Sequence, residues 1–186
     1  MEYLQIIEAD INWLAQIIQA RIKDESFNFD TIQPPILKTG SIYSNFIIEH
    51  KISVIERFLT ILVLVPHVYP VFLQEQFSKT YMGASYSNPK FAECPKHHSA
   101  IIKSSTSDSF LPTGQTFLYL VGGKSIVKRV LCLQNILGNR FYTIANNVIS
   151  PAKNSVFDPL LSNIISLSHN YALAFLTNNI KLIKNN

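Results

Sequence analysis

The chain has 186 residues, of which 47% are apolar and only 15% charged, and it carries a formal charge of +4 at neutral pH. That balance excludes a disordered chain and predicts one ordinary domain with a real core, part of whose surface is covered by a partner or by the rest of a larger polypeptide. Two cysteines, Cys94 and Cys132, exclude a disulfide framework, and the mild positive charge argues only weakly for nucleic acid or an acidic protein.

The N-terminus, MEYLQIIEAD, carries acidic residues where a secretory signal carries basic ones. Residues 2–23 read as one amphipathic helix, with Leu4, Ile7, Ile11, Leu14 and Ile18 at three- and four-residue steps and Gln5, Glu8, Asn12 and Gln19 elsewhere on the wheel. The spacing fits a coiled-coil seam, but a helix folded back on its own domain is the commoner outcome for so short a run. The connector DESFNFDTIQPPILKTG follows, broken by Pro34-Pro35 and Gly40. Ser53 with Glu56 forms a capping-box start for the next helix, which Pro66 is expected to end at about Val65. This helix holds the longest apolar run, FLTILVLV, far short of the ~20 residues of a bilayer span, so a core helix, no membrane and a reducing cytoplasm are expected. A short helix over Tyr69–Phe77, with Pro70 in its first turn, comes next.

Met82–Ser109 is rich in Ser, Asn, Gly, Pro and Lys and reads as a long, mobile surface loop. Thr113 caps a further helix bearing Phe117, Leu120 and Val121, closed by Gly122-Gly123. Ile126, Val130, Leu133 and Leu137 form the apolar stripe of the helix after it, ended by Gly138. Phe141–Ser150 and Leu160–Ser168 read as two strands of a hairpin joined through Pro151–Pro159, and Ser168 caps a last helix over His169–Leu176. The fold class expected is α+β, mostly α. A helical part (1–80), a loop (81–109) and a winged-helix-like part (110–186) with a C-terminal hairpin and short last helix make one compact unit.

Gly122-Gly123-Lys124-Ser125 looks like the tail of a phosphate-binding loop, but that loop needs its first glycine where Leu118 stands, and the preceding residues read as a capped helix, not a buried strand. Cys94, His97 and His98 offer metal ligands, yet no fourth Cys or His is set at a zinc spacing, and a solvated loop is the better reading. No nucleophile elbow frames a serine, and His67 beside an apolar helix suits a core or capping role. No enzyme activity, cofactor or metal is expected. Lys124, Lys128, Asn135 and Asn139 share an arc opposite the apolar stripe, a candidate partner or nucleic-acid face to which Lys103 and Arg129 add charge.

Three blocks, ERFLTILVLVPHVYPVFL (56–73), FLPTGQTFLYLVGG (110–123) and DPLLSNIISLSHNYALAFLT (158–177), resemble the region ahead of the motor in bacterial AAA+ ATPases encoded with phage-tail-like contractile injection systems. The most specific marker is Pro112-Thr113-Gly114 with Thr116 and the Leu120–Gly123 end; the pairs Leu161-Ser162 and Leu167-Ser168 come second. The resemblance implies a variant winged-helix region, non-catalytic and lacking the motor's Walker motifs, that recruits a protein partner or substrate to an AAA+ motor or injection-system component. A winged-helix DNA-binding regulator is the alternative.

Overall fold

The structure, a computed structural model, describes residues 2–79, 101–103, 110–137, 149–151 and 165–184. These are mostly helical, with two short antiparallel strand pairs. Helix α1 (Glu2–Lys23) buries Ile6, Ile7, Trp13, Leu14, Ile17 and Ile18, a face wider than a two-position seam. It therefore folds back on its own domain, against α3, α4 and α5. A single 3-10 turn (Phe29–Thr31) follows, its Phe29 ring tucked edge-on against Phe58 with Trp13 beside it. The Trp13 indole N–H donates to Ile32 O at 3.0 Å, which ties the connector to α1.

Helix α2 (Ile42–Glu49) has no counterpart in the expected elements. Its start is a reciprocal box in which the Ser41 hydroxyl accepts from Ser44 N at 2.9 Å and Ser41 N donates to Ser44 Oγ at 3.2 Å. Helix α3 (Val54–Val68) begins at the Ser53–Glu56 box and runs on through Pro66. A proline so near the end removes one backbone donor, and the last turn still closes through Tyr69 N to Val65 O at 2.8 Å. Pro70 accordingly precedes α4, which spans Phe72–Lys79.

Strand β1 (Ile101–Lys103) pairs antiparallel with β2 (Phe110–Pro112), so the stretch expected to be loop up to Ser109 contains a strand near its end. The remainder of that stretch lies outside the described residues. Helix α5 (Gly114–Gly122) starts at Thr113, whose hydroxyl accepts from Thr116 N at 3.2 Å while Thr113 N donates to Thr116 Oγ1 at 2.9 Å. Helix α6 is Ile126–Leu137. Strand β3 (Ile149–Pro151) pairs antiparallel with β4 (Ile165–Leu167); β3 takes in Pro151, expected in the loop, Ser168 lies past the end of β4, and residues 141–148 and 160–164 of the expected strands lie outside the described residues. Ser168 occupies the N-cap of α7 (His169–Thr177), but its side chain makes no cap hydrogen bond. After a left-handed Asn178, whose Oδ1 accepts from Ile42 N at 2.8 Å, the short α8 (Lys181–Lys184) follows.

One core runs through α1, α2, α3, α4, α5, β4 and α7, with α3 at its centre. There Phe58 to Val65 are all buried between α1, α4, α5, α7 and the strands β2 and β4. A polar triad sits inside it. Arg57 donates to Asp10 through Nε (2.9 Å) and Nη2 (2.5 Å), and the Tyr43 hydroxyl donates to the same carboxylate at 2.5 Å. Burial works to lower the Arg57 pKa, but hydrogen bonding to and the charge of Asp10 outweigh it and raise the value. Burial and then Asp10 push Tyr43 well above its ordinary value, so it stays a neutral donor.

Candidate interaction surface

The GGKS stretch is a junction between two helices. Gly123 ends α5 with φ +56°, a conformation that favours glycine, and a Cβ there would stand 2.4 Å from Arg21 Nη1 and 2.6 Å from Glu25 O. At Gly122 a Cβ would meet the Arg129 side chain at 2.7 Å and its backbone N at 3.1 Å, so this glycine lets α6 approach α5 closely. Two arginines then satisfy the carbonyls left open at the end of α5. Arg21, almost fully buried, donates through Nε to Leu120 O and through Nη2 to Val121 O, both at 3.2 Å, and through Nη1 to Glu25 O at 2.7 Å. Arg129 donates to Gly123 O at 2.6 Å. Burial lowers the Arg21 pKa, against the opposing influence of Tyr119, Asp24 and Glu25, and the Phe27 ring lies 5.2 Å from the guanidinium. The glycines are thus occupied by helix capping and close packing.

Those contacts fix the orientation of α6. Cys132 turns inward and is buried, with its thiol pKa raised by that burial, and Leu133 is half-buried beside it. The expected stripe does not all face the core: Ile126 is 77% exposed and Val130 44%, and they are joined on the outer side by Val127 at 69% and Leu131 at 52%. The two adjoining doublets, Ile126-Val127 and Val130-Leu131, sit one helical turn apart and make a continuous apolar patch. That doublet repeat was the available sequence signal for Val127 and Leu131; the single-stripe reading passed over it.

The candidate basic residues flank this patch and turn toward the connector. Lys124 is ion-paired with Glu25, and Lys128 Nζ donates to Asn28 Oδ1 at 3.0 Å. Asn135 lies in the last turn of α6, with its side chain outside the described set, and Asn139 lies outside the described residues, as do Cys94, His97 and His98. The side chain of Lys103 is likewise not described, and Arg129 turns to the Gly123 carbonyl instead of adding to the basic face. Among the described residues, no three His, Cys, Asp or Glu side chains gather as metal ligands would, and no helix is long and apolar enough to cross a membrane. His67 stands at the exposed end of α3. Partial loss of water, and then the nearby His169, hold its pKa below the ordinary value.

No protein-family model matches the chain, and neither the curated proteins nor the solved structures contain a significant match to it.

Proposed function

We propose that this chain is a non-catalytic docking module that binds a protein partner through the outward face of α6, as the accessory N-terminal part, or a relative, of an AAA+ ATPase of contractile injection systems. The observation that carries the docking reading is the patch Ile126, Val127, Val130 and Leu131, which leaves large aliphatic side chains in water on a helix whose first turn is held by Lys128 N donating to Ser125 Oγ at 3.3 Å. Covering each would contribute roughly 1.5–3 kcal/mol if fully desolvated. A stable interface covers ~800 Å² per partner, more than one helix face offers, so the partner also reaches the connector around Glu25 and Asn28.

The nature of the partner rests on the resemblance of residues 56–73, 110–123 and 158–177. Its marker residues have a structural role here: Thr113 and Thr116 start α5, and Gly122 and Gly123 set its junction with α6. A module of this kind would present α6 to a motor in the same chain or beside it, or to that motor's substrate. The test is a Val127→Asp/Leu131→Asp variant, mixed with the AAA+ motor encoded nearest to this chain. Secondary structure and urea midpoint are expected to stay near wild type, while affinity drops roughly a hundredfold. Unchanged affinity would overturn the reading.

A winged-helix DNA-binding regulator is the second reading, favoured by the antiparallel β3/β4 pair that follows the α5–α6 hairpin. Against it, phosphates would have to compete with Glu25 for Lys124 and with Asn28 for Lys128. Fluorescence anisotropy with random duplex at low salt separates the two. Binding that falls steeply with salt and is lost in Lys124→Glu/Lys128→Glu would establish the regulator in place of the docking module.

A further inference from the structure

On the side of the molecule built from α2, α7 and α8, a groove of about 560 Å³ runs along one face of α2. Ile42 and Phe46, and likewise Asn45 and Glu49, lie four residues apart, so a single helical face forms one wall. Tyr171, Ile180 and Ile183 form the other. At its centre the rings cluster: Phe46 lies 4.9 Å from His50 and 5.9 Å from Tyr171, centroid to centroid, both pairs inclined. The floor is firm, since Phe46 and Tyr171 both pack on the fully buried Phe175. The Asn178–Ile42 hydrogen bond holds the two walls at a fixed separation.

The charged groups of this groove differ from those of the chain as a whole: Glu49 and His50 are the titratable side chains at its α2 wall. Among the described residues no lysine or arginine lines it, in a protein with 16 of them and a net charge of +4. Its one carboxylate, Glu49, forms no ion pair among the described residues and stands at the C-terminal end of α2, where the helix dipole is negative. Aromatic faces, a carboxylate with no ion pair among the described residues and a helix C-terminus all attract the same thing: a cation on an apolar stem. An anionic ligand such as a phosphate finds no lysine or arginine here among the described residues, His50 being the one basic group of the lining.

We infer that this groove is a second binding site, distinct from the α6 face, and that it takes a basic side chain, arginine or lysine, presented beside an apolar residue on a partner peptide. The aliphatic stem lies against Phe46 and Tyr171, the apolar neighbour against Ile180 and Ile183, and the cationic head reaches Glu49. The inference rests on the groove's own geometry and charge, so it stands or falls separately from the docking reading for α6.

The test is an amide NMR titration of the full chain with N-acetyl-Phe-Arg-amide, and with the Phe-Glu and Phe-Gln peptides as comparisons. Saturable shifts confined to residues 42–50, 171 and 178–183 are expected for the arginine peptide, with affinity at least about threefold above Phe-Gln and more above Phe-Glu. Glu49→Gln, at an exposed position, is expected to keep the fold and to weaken the arginine peptide roughly two- to fivefold without affecting Phe-Gln. Equal response to the three peptides, shifts centred on α6, or an unaltered affinity in Glu49→Gln would each overturn the proposal.

Discussion

Helices α3 and α6 are both rich in aliphatic residues, yet the chain uses them in opposite ways. In α3, Phe58 to Val65 are buried on every side because other elements surround it: three helices, two strands and α7. In α6 the main neighbour among the described elements is α5, so one side is enclosed and Ile126, Val127, Val130 and Leu131 remain in water. Apolar content therefore measures what a helix is able to bury, whereas the number of elements that reach it decides what it does bury. α3 is enclosed by the core, and α6 leaves apolar surface in water.

The strongest way to break the comparison is to leave a charge unpaired beside α3. Arg57→Ala would strand the buried Asp10 carboxylate, and a loss of roughly 3–5 kcal/mol is expected in urea unfolding. Replacing the triad jointly, Asp10→Leu with Arg57→Met and Tyr43→Phe, should recover much of that loss, because the cost lies in the orphaned polar groups. Next in size is the contrast itself. Leu62→Ala in α3 is expected to cost about 2–5 kcal/mol, while Leu131→Ala in α6 should stay within ~0.5 kcal/mol when the protein is alone. Equal losses would mean that α6 is covered in solution.

The smallest effect concerns the end of α3. The folded-state pKa of His67 lies below its unfolded value, so the unfolded chain binds the proton more readily. Its contribution is fully present above the unfolded pKa of about 6.5 and is lost as pH falls below that toward the folded value. Because the ring is open to solvent, the slope is shallow. Stability measured from pH 7 to 5 should decline slightly less in His67→Asn, and His169→Asn should flatten the wild-type slope in the same direction.

The sequence made α1, the starts of α3 and α5, and the glycine stop at Gly123 legible, because each is a local signal. Apolar periodicity, a hydroxyl facing a backbone N–H three residues on, and a left-handed residue all act within one or two turns. It did not reveal α2, whose cap uses Ser44 where a glutamate or glutamine is the recognisable partner. Nor did it show that α3 passes through Pro66, since one lost donor in a last turn is outweighed by burial of the residues before it. The outward face of α6 was least legible of all. Its orientation is dictated by Gly122 against Arg129 and by Arg21 at Gly123, contacts whose meaning depends on where α1 comes to rest. The α2 groove combines residues from 40 to 183, a juxtaposition that periodicity cannot express.

Arg21 and the carbonyls it caps are separated by 99 and 100 positions along the chain. A hairpin of α5 and α6 formed during synthesis has its own Arg129 but must wait for the returning first helix before its remaining carbonyls are satisfied. The N-terminal helix and the α5–α6 junction are thereby welded into one cooperative unit, and that helix is a keystone, not a detachable arm. Severing the link between them would expose raw peptide dipoles where the interior had been sealed.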